Sequence, residues 1–164
     1  MEDLVIVLGP SYNFHLVKEH VTDALSHINI SNNHALPAFF TYGSDAIMIH
    51  KIGDIIHHEG ADEVIETMKN PKEGDNLMKT LDLAYTELIK SNRDAAIKSI
   101  WISISVDISE QEDFIKKMNK WKKSGVKVRL FIEDHVDHEL IKDAVDEVVE
   151  IETNVVKPTT GEIR

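Results

Sequence analysis

The feature that most constrains the fold is the run of apolar residues at positions 4–8, Leu-Val-Ile-Val-Leu. A continuous apolar run of this length, rich in β-branched residues, is typical of a strand that is buried on both faces. Gly9 and Pro10 end the run, and from Phe14 onward apolar residues recur at helical spacing as far as Ile28. Because such a strand needs cover on both sides, the sequence predicts an α/β sheet.

The rest of the chain continues this alternation of strands and helices. Further strands are predicted at residues 36–42, 46–50, 97–105, 126–132 and 148–151. Helices are predicted at residues 14–28, 61–68, 75–89, 110–124 and 137–145. A Gly43-Ser44-Asp45 turn joins the second and third strands, which predicts a hairpin. The expected fold is therefore three-layer and doubly wound, with a mostly parallel six-stranded sheet and one antiparallel edge strand.

Length and composition narrow the classes of protein further. A chain of 164 residues suits one domain, which we place at residues 1–152, followed by a polar tail at residues 153–164. There is no cysteine, which excludes disulfides and thiolate metal sites and fits a reducing cytoplasm. No apolar stretch approaches the ~20 residues that a membrane-spanning helix needs.

The charge balance limits the kinds of partner that are expected. The chain has 18 Lys and Arg against 29 Asp and Glu, a formal net charge of −11. A negative domain repels nucleic acid phosphates and anionic lipid headgroups, so neither is a predicted partner. Basic protein partners or cations are more compatible with the negative net charge of the chain.

Polar side chains follow the predicted strands at points where a sheet would bring them together. These candidate binding residues are Ser11, Tyr12, Asn13, Asp75, Asn76, Ser105, Asp107, Glu133 and His135. Because ligands of open α/β sheets bind at the carboxyl ends of the strands, we predict a binding site there.

Some of these residues also have a purely structural interpretation. Ser11 or Asn13 is a favoured N-cap for the helix that starts near Phe14, and Asp75 would cap or charge the first turn of its own helix. Asp137 would cap the last predicted helix, with further acids in its first turn. These roles predict no ligand.

Three segments, in this order, resemble the von Willebrand factor A domain family over about residues 3–152. They are AFFTYGSDAIMIHKIGD, KEGDNLMKTLDLAYTEL and SIWISIS followed by FIKKMNKWKKSGVKVRLFIED. The resemblance implies the α/β fold described above. It also implies a divalent-cation site at the carboxyl ends of the central strands.

That cation site is degenerate in this sequence. The family's first loop reads Asp-x-Ser-x-Ser, whereas the matching stretch here is Gly-Pro-Ser-Tyr-Asn, so the leading carboxylate is gone. The family's Thr falls on Asp75, and its Asp after the fourth strand falls on Val106, with Asp107 one residue late. Only Ser11 matches a ligand position by type. We therefore predict a non-catalytic, metal-independent protein-interaction module in which a partner's basic side chain replaces the cation.

Two alternatives remain open at this point. Ser11, Asn13, Asp75 and Asp107 could hold Mg²⁺ in a displaced site and make the chain a cation-dependent adhesion module. His135 and His138 could hold Zn²⁺ in a metal-dependent hydrolase. Catalysis is not the prediction, since the sequence contains neither a Gly-rich phosphate loop nor a G-x-S-x-G elbow.

Overall fold

Six strands form one sheet in the order β3-β2-β1-β4-β5-β6. The structure is a computed structural model that describes residues 1–91, 93 and 96–153. The strands are β1 (Glu2–Leu8), β2 (Ala35–Tyr42), β3 (Ala46–His50), β4 (Ile97–Ile104), β5 (Val126–Glu133) and β6 (Glu147–Ile151). All neighbouring pairs are parallel except β2 and β3, which are antiparallel.

Four α-helices cover the two faces of this sheet. They are α1 (Phe14–Leu25), α2 (His58–Thr67), α3 (Leu77–Lys90) and α4 (Gln111–Lys123), and a short 3₁₀ helix follows at Lys142–Ala144. Apolar side chains of α1 and α2 pack into one core, and those of α3 and α4 pack into the other. No described helix combines the length and the apolar character that crossing a membrane requires.

The apolar run in β1 divides its side chains between the two cores. Val5 and Val7 point into the core under α3 and α4, whereas Leu4, Ile6 and Leu8 point into the core under α1 and α2. All five are fully buried. The period of two in a strand produces this division, since successive side chains point to opposite faces. The predicted central, doubly covered strand is confirmed.

The predicted α/β class, the mostly parallel six-stranded sheet and its antiparallel edge strand are also confirmed. The predicted helix at residues 137–145 is wrong, because this segment forms turns and only the short 3₁₀ helix. The Asp137 carboxylate accepts a hydrogen bond from the backbone N–H of Glu139 at 3.1 Å. A local side-chain bond of this kind competes with helical hydrogen bonding. Apart from Thr153, the predicted tail lies outside the described residues.

At the amino end of β1, one buried carboxylate joins the central strands. Asp3 is fully buried, and its oxygens accept hydrogen bonds from Arg93 Nη1 at 2.8 Å and Lys98 Nζ at 2.5 Å. Both cations are partly buried, so water compensates poorly for the loss of their shared partner.

Replacing Asp3 with Ala is expected to lower the free energy of unfolding by about 3 kcal/mol, because two partly buried cations lose their carboxylate. Asp82→Ala is the matched control, since the ion pair of Asp82 with Lys117 lies at the surface and its loss is expected to cost less than about 1 kcal/mol. Urea denaturation followed by circular dichroism measures both. Equal losses in the two variants would contradict the structural role of Asp3.

Candidate functional site

Glu133, the last residue of β5, lies at the carboxyl edge of the sheet. Its side chain is only 2% exposed. Its carboxylate accepts hydrogen bonds from Ser11 Oγ at 2.5 Å, Asn13 Nδ2 at 3.1 Å and His135 Nε2 at 3.2 Å. β4 lies between β1 and β5 in the sheet, so these contacts fasten the loop after β1 across the end of β4 to the end of β5.

The loop after β1 is also held by a second set of contacts. The Ser11 hydroxyl accepts a hydrogen bond from the Asn13 N–H at 2.8 Å. The side-chain amide of Asn70 bonds both backbone groups of Ser11, accepting from its N–H at 3.0 Å and donating to its carbonyl at 2.8 Å. This loop is therefore fixed in place before any ligand arrives.

The predicted N-cap position is confirmed at Asn13, but the side-chain cap that we expected there does not form. Asn13 occupies the N-cap position of α1, but its side chain makes no capping hydrogen bond. The amide of Asn13 is directed to the Glu133 carboxylate instead. Charge-assisted hydrogen bonds to a carboxylate are stronger than those to a neutral partner, which accounts for the choice.

Glu133 is an ionised carboxylate at neutral pH. Burial alone raises its pKa, but the hydroxyls of Ser105 and Ser11, the amide of Asn13 and the ring of His135 favour the charged form and together hold the pKa below its ordinary value. The side chain thus places a negative charge inside the edge of the sheet.

The Ser105 hydroxyl has unused hydrogen-bonding capacity beside this charge. Ser105 is 6% exposed, and among the residues that the structure describes its Oγ has no partner of hydrogen-bonding geometry. Its proximity still helps to lower the pKa of Glu133. A buried hydroxyl without a partner is costly. A ligand group that bonds Ser105 would remove that cost.

Ser105 and Glu133 line a cavity of about 330 Å³ that opens between the loops. Tyr12 and Val106 lie on its wall, and they are 94% and 61% exposed, respectively. The exposed acid Glu73 lines the same cavity. The site therefore combines a buried acid with an aromatic and an apolar surface at its entrance.

Tyr42, at the end of β2, fills the space where the resemblance places the first acidic ligand. A Cβ atom added to Gly9 would lie 2.2 Å from Tyr42 Cζ and 2.4 Å from Tyr42 Oη. The tyrosine is buried, and its hydroxyl donates a hydrogen bond to the Ser103 carbonyl at 2.6 Å. Burial, together with the charge of Glu133, raises the pKa of Tyr42, so the phenol stays protonated. A carboxylate side chain at position 9 would therefore require Tyr42 to move.

The remaining acidic candidates lie at a neighbouring cavity. Asp75 and Asp107 line a space of about 230 Å³ together with Tyr42. Asp107 Oδ1 accepts a hydrogen bond from the Asp137 N–H at 3.1 Å. The expectation that Asp75 caps or charges α3 is wrong, because the N-cap is Asn76 and the first turn contains no acid.

Asn76 has a structural role instead of lining either cavity. Its side-chain amide donates hydrogen bonds to the carbonyls of Gly43 at 3.1 Å and Ser44 at 2.7 Å. These bonds tie the start of α3 to the turn between β2 and β3. The structure therefore brings together Ser11, Tyr12, Asn13, Ser105, Glu133 and His135, and it places Asp75 and Asp107 in the adjacent cavity.

These positions do not fit the metal sites considered from the sequence. The four candidate Mg²⁺ ligands are divided between two cavities, and Ser11 and Asn13 direct hydrogen-bond donors at Glu133. The two candidate Zn²⁺ ligands also diverge, since His135 contacts Glu133 and His138 Nε2 lies 3.7 Å from Glu150. Within residues 1–91, 93 and 96–153, no three His, Asp or Glu side chains are grouped so as to hold a metal ion.

Sequence reasoning missed two residues that shape the site, Tyr42 and Asn70. Thr41 pairs with Leu8 in the parallel β1–β2 register, which places Tyr42 beside Gly9. The signal available in the sequence was the pair formed by Gly9 after β1 and the aromatic residue Tyr42 at the end of the neighbouring strand β2. No sequence pattern indicates that Asn70, 59 positions after Ser11, pairs with it.

Comparison with known proteins supports the fold. No protein-family model matches the chain, and no curated protein does either. Among solved structures, proximal thread matrix protein 1 from the mussel byssus, with a zinc-occupied MIDAS motif, aligns with a TM-score of 0.78 and 12% identity. The alignment covers 94% of this chain and 42% of the mussel protein, so the chain spans less than half of that protein's length.

Two further structures agree. The SpRpn10 VWA domain aligns with a TM-score of 0.71 and 11% identity, over 94% of this chain and 90% of that one. The manganese-loaded TRAP protein of Plasmodium vivax aligns with a TM-score of 0.71 and 16% identity, over 88% of this chain and 62% of that one. At such identities the likeness concerns the fold alone. The chain therefore has the von Willebrand factor A-like fold that its sequence resembles.

Proposed function

We propose that the chain is a non-catalytic protein-interaction module that binds a partner at the carboxyl edge of its sheet without a metal ion. Domains with this fold commonly mediate protein interactions. The observation that carries the proposal is the buried, ionised carboxylate of Glu133 at a cavity. Among the described residues, no Lys or Arg forms an ion pair with it.

The hydrogen-bonding capacity of the site favours a partner group that donates. A carboxylate has about four acceptor positions, and those of Glu133 receive hydrogen bonds from Ser11, Asn13 and His135. Oε2 accepts only one of these bonds, and the Ser105 oxygen accepts none. A Lys ammonium or an Arg guanidinium from a partner would donate to both and would neutralise the buried charge.

The surroundings of Glu133 favour the same kind of group. Glu73 lines the same cavity, and Asp75 and Asp107 line the adjacent one, so the edge attracts cations. The exposed ring of Tyr12 offers a face on which a guanidinium group could stack. Aromatic residues beside a desolvated charge are common among the residues that dominate binding energy at interfaces.

Binding without a metal ion is part of this proposal. Tyr42 takes the space of the first acidic ligand, and Glu133 supplies an internal charge to which Ser11 and Asn13 are already bonded.

Addition of millimolar Mg²⁺, Mn²⁺ or Ca²⁺ to chelator-treated protein is expected to leave the melting temperature unchanged, because only a ligand that binds the folded state raises it. A saturable rise with any of the three ions would contradict the metal-independent function.

Selection of peptides from a displayed random library tests the binding site directly. We expect the selected peptides to carry Arg or Lys, and we expect Glu133→Gln to weaken their binding roughly thirtyfold or more, because the partner's charge loses its buried carboxylate. Isothermal titration calorimetry with one synthetic peptide measures this loss. The matched control is Asp23→Asn, which also removes one acid but lies at the far end of α1.

Asp107→Asn provides a second variant that does not disturb the contacts of Glu133, and it is expected to weaken binding about threefold by reducing the local negative charge. Circular dichroism confirms that each variant is folded. Peptides that bind Glu133→Gln as tightly as the parent protein would show that the docking surface lies elsewhere.

A further inference from the structure

The cavity beside Glu133 presents two acceptor atoms with unused capacity. Glu133 Oε1 already receives hydrogen bonds from Asn13 Nδ2 at 3.1 Å and His135 Nε2 at 3.2 Å. From the described residues, Glu133 Oε2 receives a single hydrogen bond, from Ser11 Oγ at 2.5 Å. The second acceptor is the oxygen of Ser105, just after β4, which has no partner in the part of the chain that the structure describes. A ligand that completes this site therefore donates to two different side chains.

The register of β4 and β5 sets the spacing of these two acceptors. The strands are parallel and Ile104 pairs with Ile132, so Ser105 and Glu133 are the next residues along two neighbouring chains, about 4.7–4.9 Å apart. Both side chains line the same cavity, and both residues are buried. An arginine guanidinium carries its donors on separate nitrogens in a rigid fork, which can reach two acceptors at this spacing. A lysine ammonium donates from one nitrogen, and a bond to Glu133 largely fixes its position.

Tyr12 offers the same ligand a surface for stacking. Its side chain lines the cavity and is 94% exposed, so the ring gains little from packing in the free chain. Its two neighbours are nevertheless fixed. The backbone of Ser11 is bonded to Asn70, and the side chain of Asn13 is bonded to Glu133. Arginine stacks its planar cation on such a ring, whereas the ammonium of lysine is compact and strongly hydrated.

We infer that this site selects arginine over lysine, with the guanidinium held between Glu133, Ser105 and the ring of Tyr12. The inference rests on the proposed function and adds to it the kind of basic side chain that the partner contributes. One N–H donates to Glu133 Oε2 and a second donates to the Ser105 oxygen, while the exposed acid Glu73 on the same cavity attracts the remaining donors. The methylene groups of the arginine pack on Val106, an exposed apolar residue of the cavity wall.

Two displayed libraries of short random peptides test this selectivity, one with Arg and the other with Lys fixed at the central position. We expect the tightest peptides whose binding depends on Glu133 to come from the Arg library. In one synthetic peptide, exchange of the central Arg for Lys is expected to weaken binding about tenfold, measured by isothermal titration calorimetry. Exchange for citrulline, which keeps the planar shape but has no charge, is expected to weaken binding roughly thirtyfold or more.

Ser105→Ala and Tyr12→Leu test the residues to which the preference is assigned. Each variant is expected to reduce the preference for Arg over Lys to about threefold, because each removes a contact that the guanidinium makes and the ammonium does not. Ser99→Ala is the matched control, since Ser99 is also a buried serine of β4 but lies near the amino end of that strand. This control is expected to keep the preference of the parent protein, and circular dichroism confirms that all three variants are folded.

The outcomes separate this inference from the proposed function. Arg and Lys peptides that bind the parent equally well, and that both lose affinity in Glu133→Gln, would overturn the selectivity for arginine while supporting the docking site. A preference for arginine that persists in both Ser105→Ala and Tyr12→Leu would contradict the roles given to these two residues. If neither library yields a peptide whose binding depends on Glu133, the proposed function and the inference are both wrong.

Discussion

The buried carboxylate of Glu133 organises the carboxyl edge of this protein. It joins the loop after β1 to the end of β5 through Ser11 and Asn13. Each of those side chains would otherwise present its polar atoms to a cavity. Because the hydrogen bonds favour the charged form more than burial opposes it, the site is preorganised around a fixed negative charge.

An internal acid changes the chemistry that the edge can offer a partner. On our proposal, Glu133 offers negative charge to a basic partner group, whereas a divalent cation at this edge would offer positive charge to an acidic one. Two features of the site fit this proposal. Tyr42 occupies the space beside Gly9 in which the first acidic ligand of the family's cation site would lie. Glu133 supplies a negative charge in place of that ligand's charge.

The fold could be predicted because it depends on local patterns. The apolar run at residues 4–8 and the hairpin turn before Ala46 specify a central strand and an antiparallel edge by themselves. The helix predicted at residues 137–145 failed because Asp137 can bond its own backbone as easily as it can cap a helix. The grouping of Ser11 with Glu133 followed from sheet geometry. The direction of the Asn13 amide depends on Glu133, which is 120 positions away, so no local pattern could show it. The contact of Tyr42 with Gly9 could be found only from the register of β1 and β2.

The ionisation of Glu133 is the most direct test of this account. With its pKa lowered in the folded state, the carboxylate stabilises the fold above the ordinary glutamate pKa of about 4.3, and this contribution is lost as the pH falls through the lower folded-state value. Carboxyl carbon NMR can follow the titration of this single side chain, with the signal assigned by its absence in Glu133→Gln. We predict a midpoint below the ordinary value; a midpoint at or above it would show that the hydrogen bonds from Ser11, Asn13 and His135 do not outweigh the burial of this carboxylate.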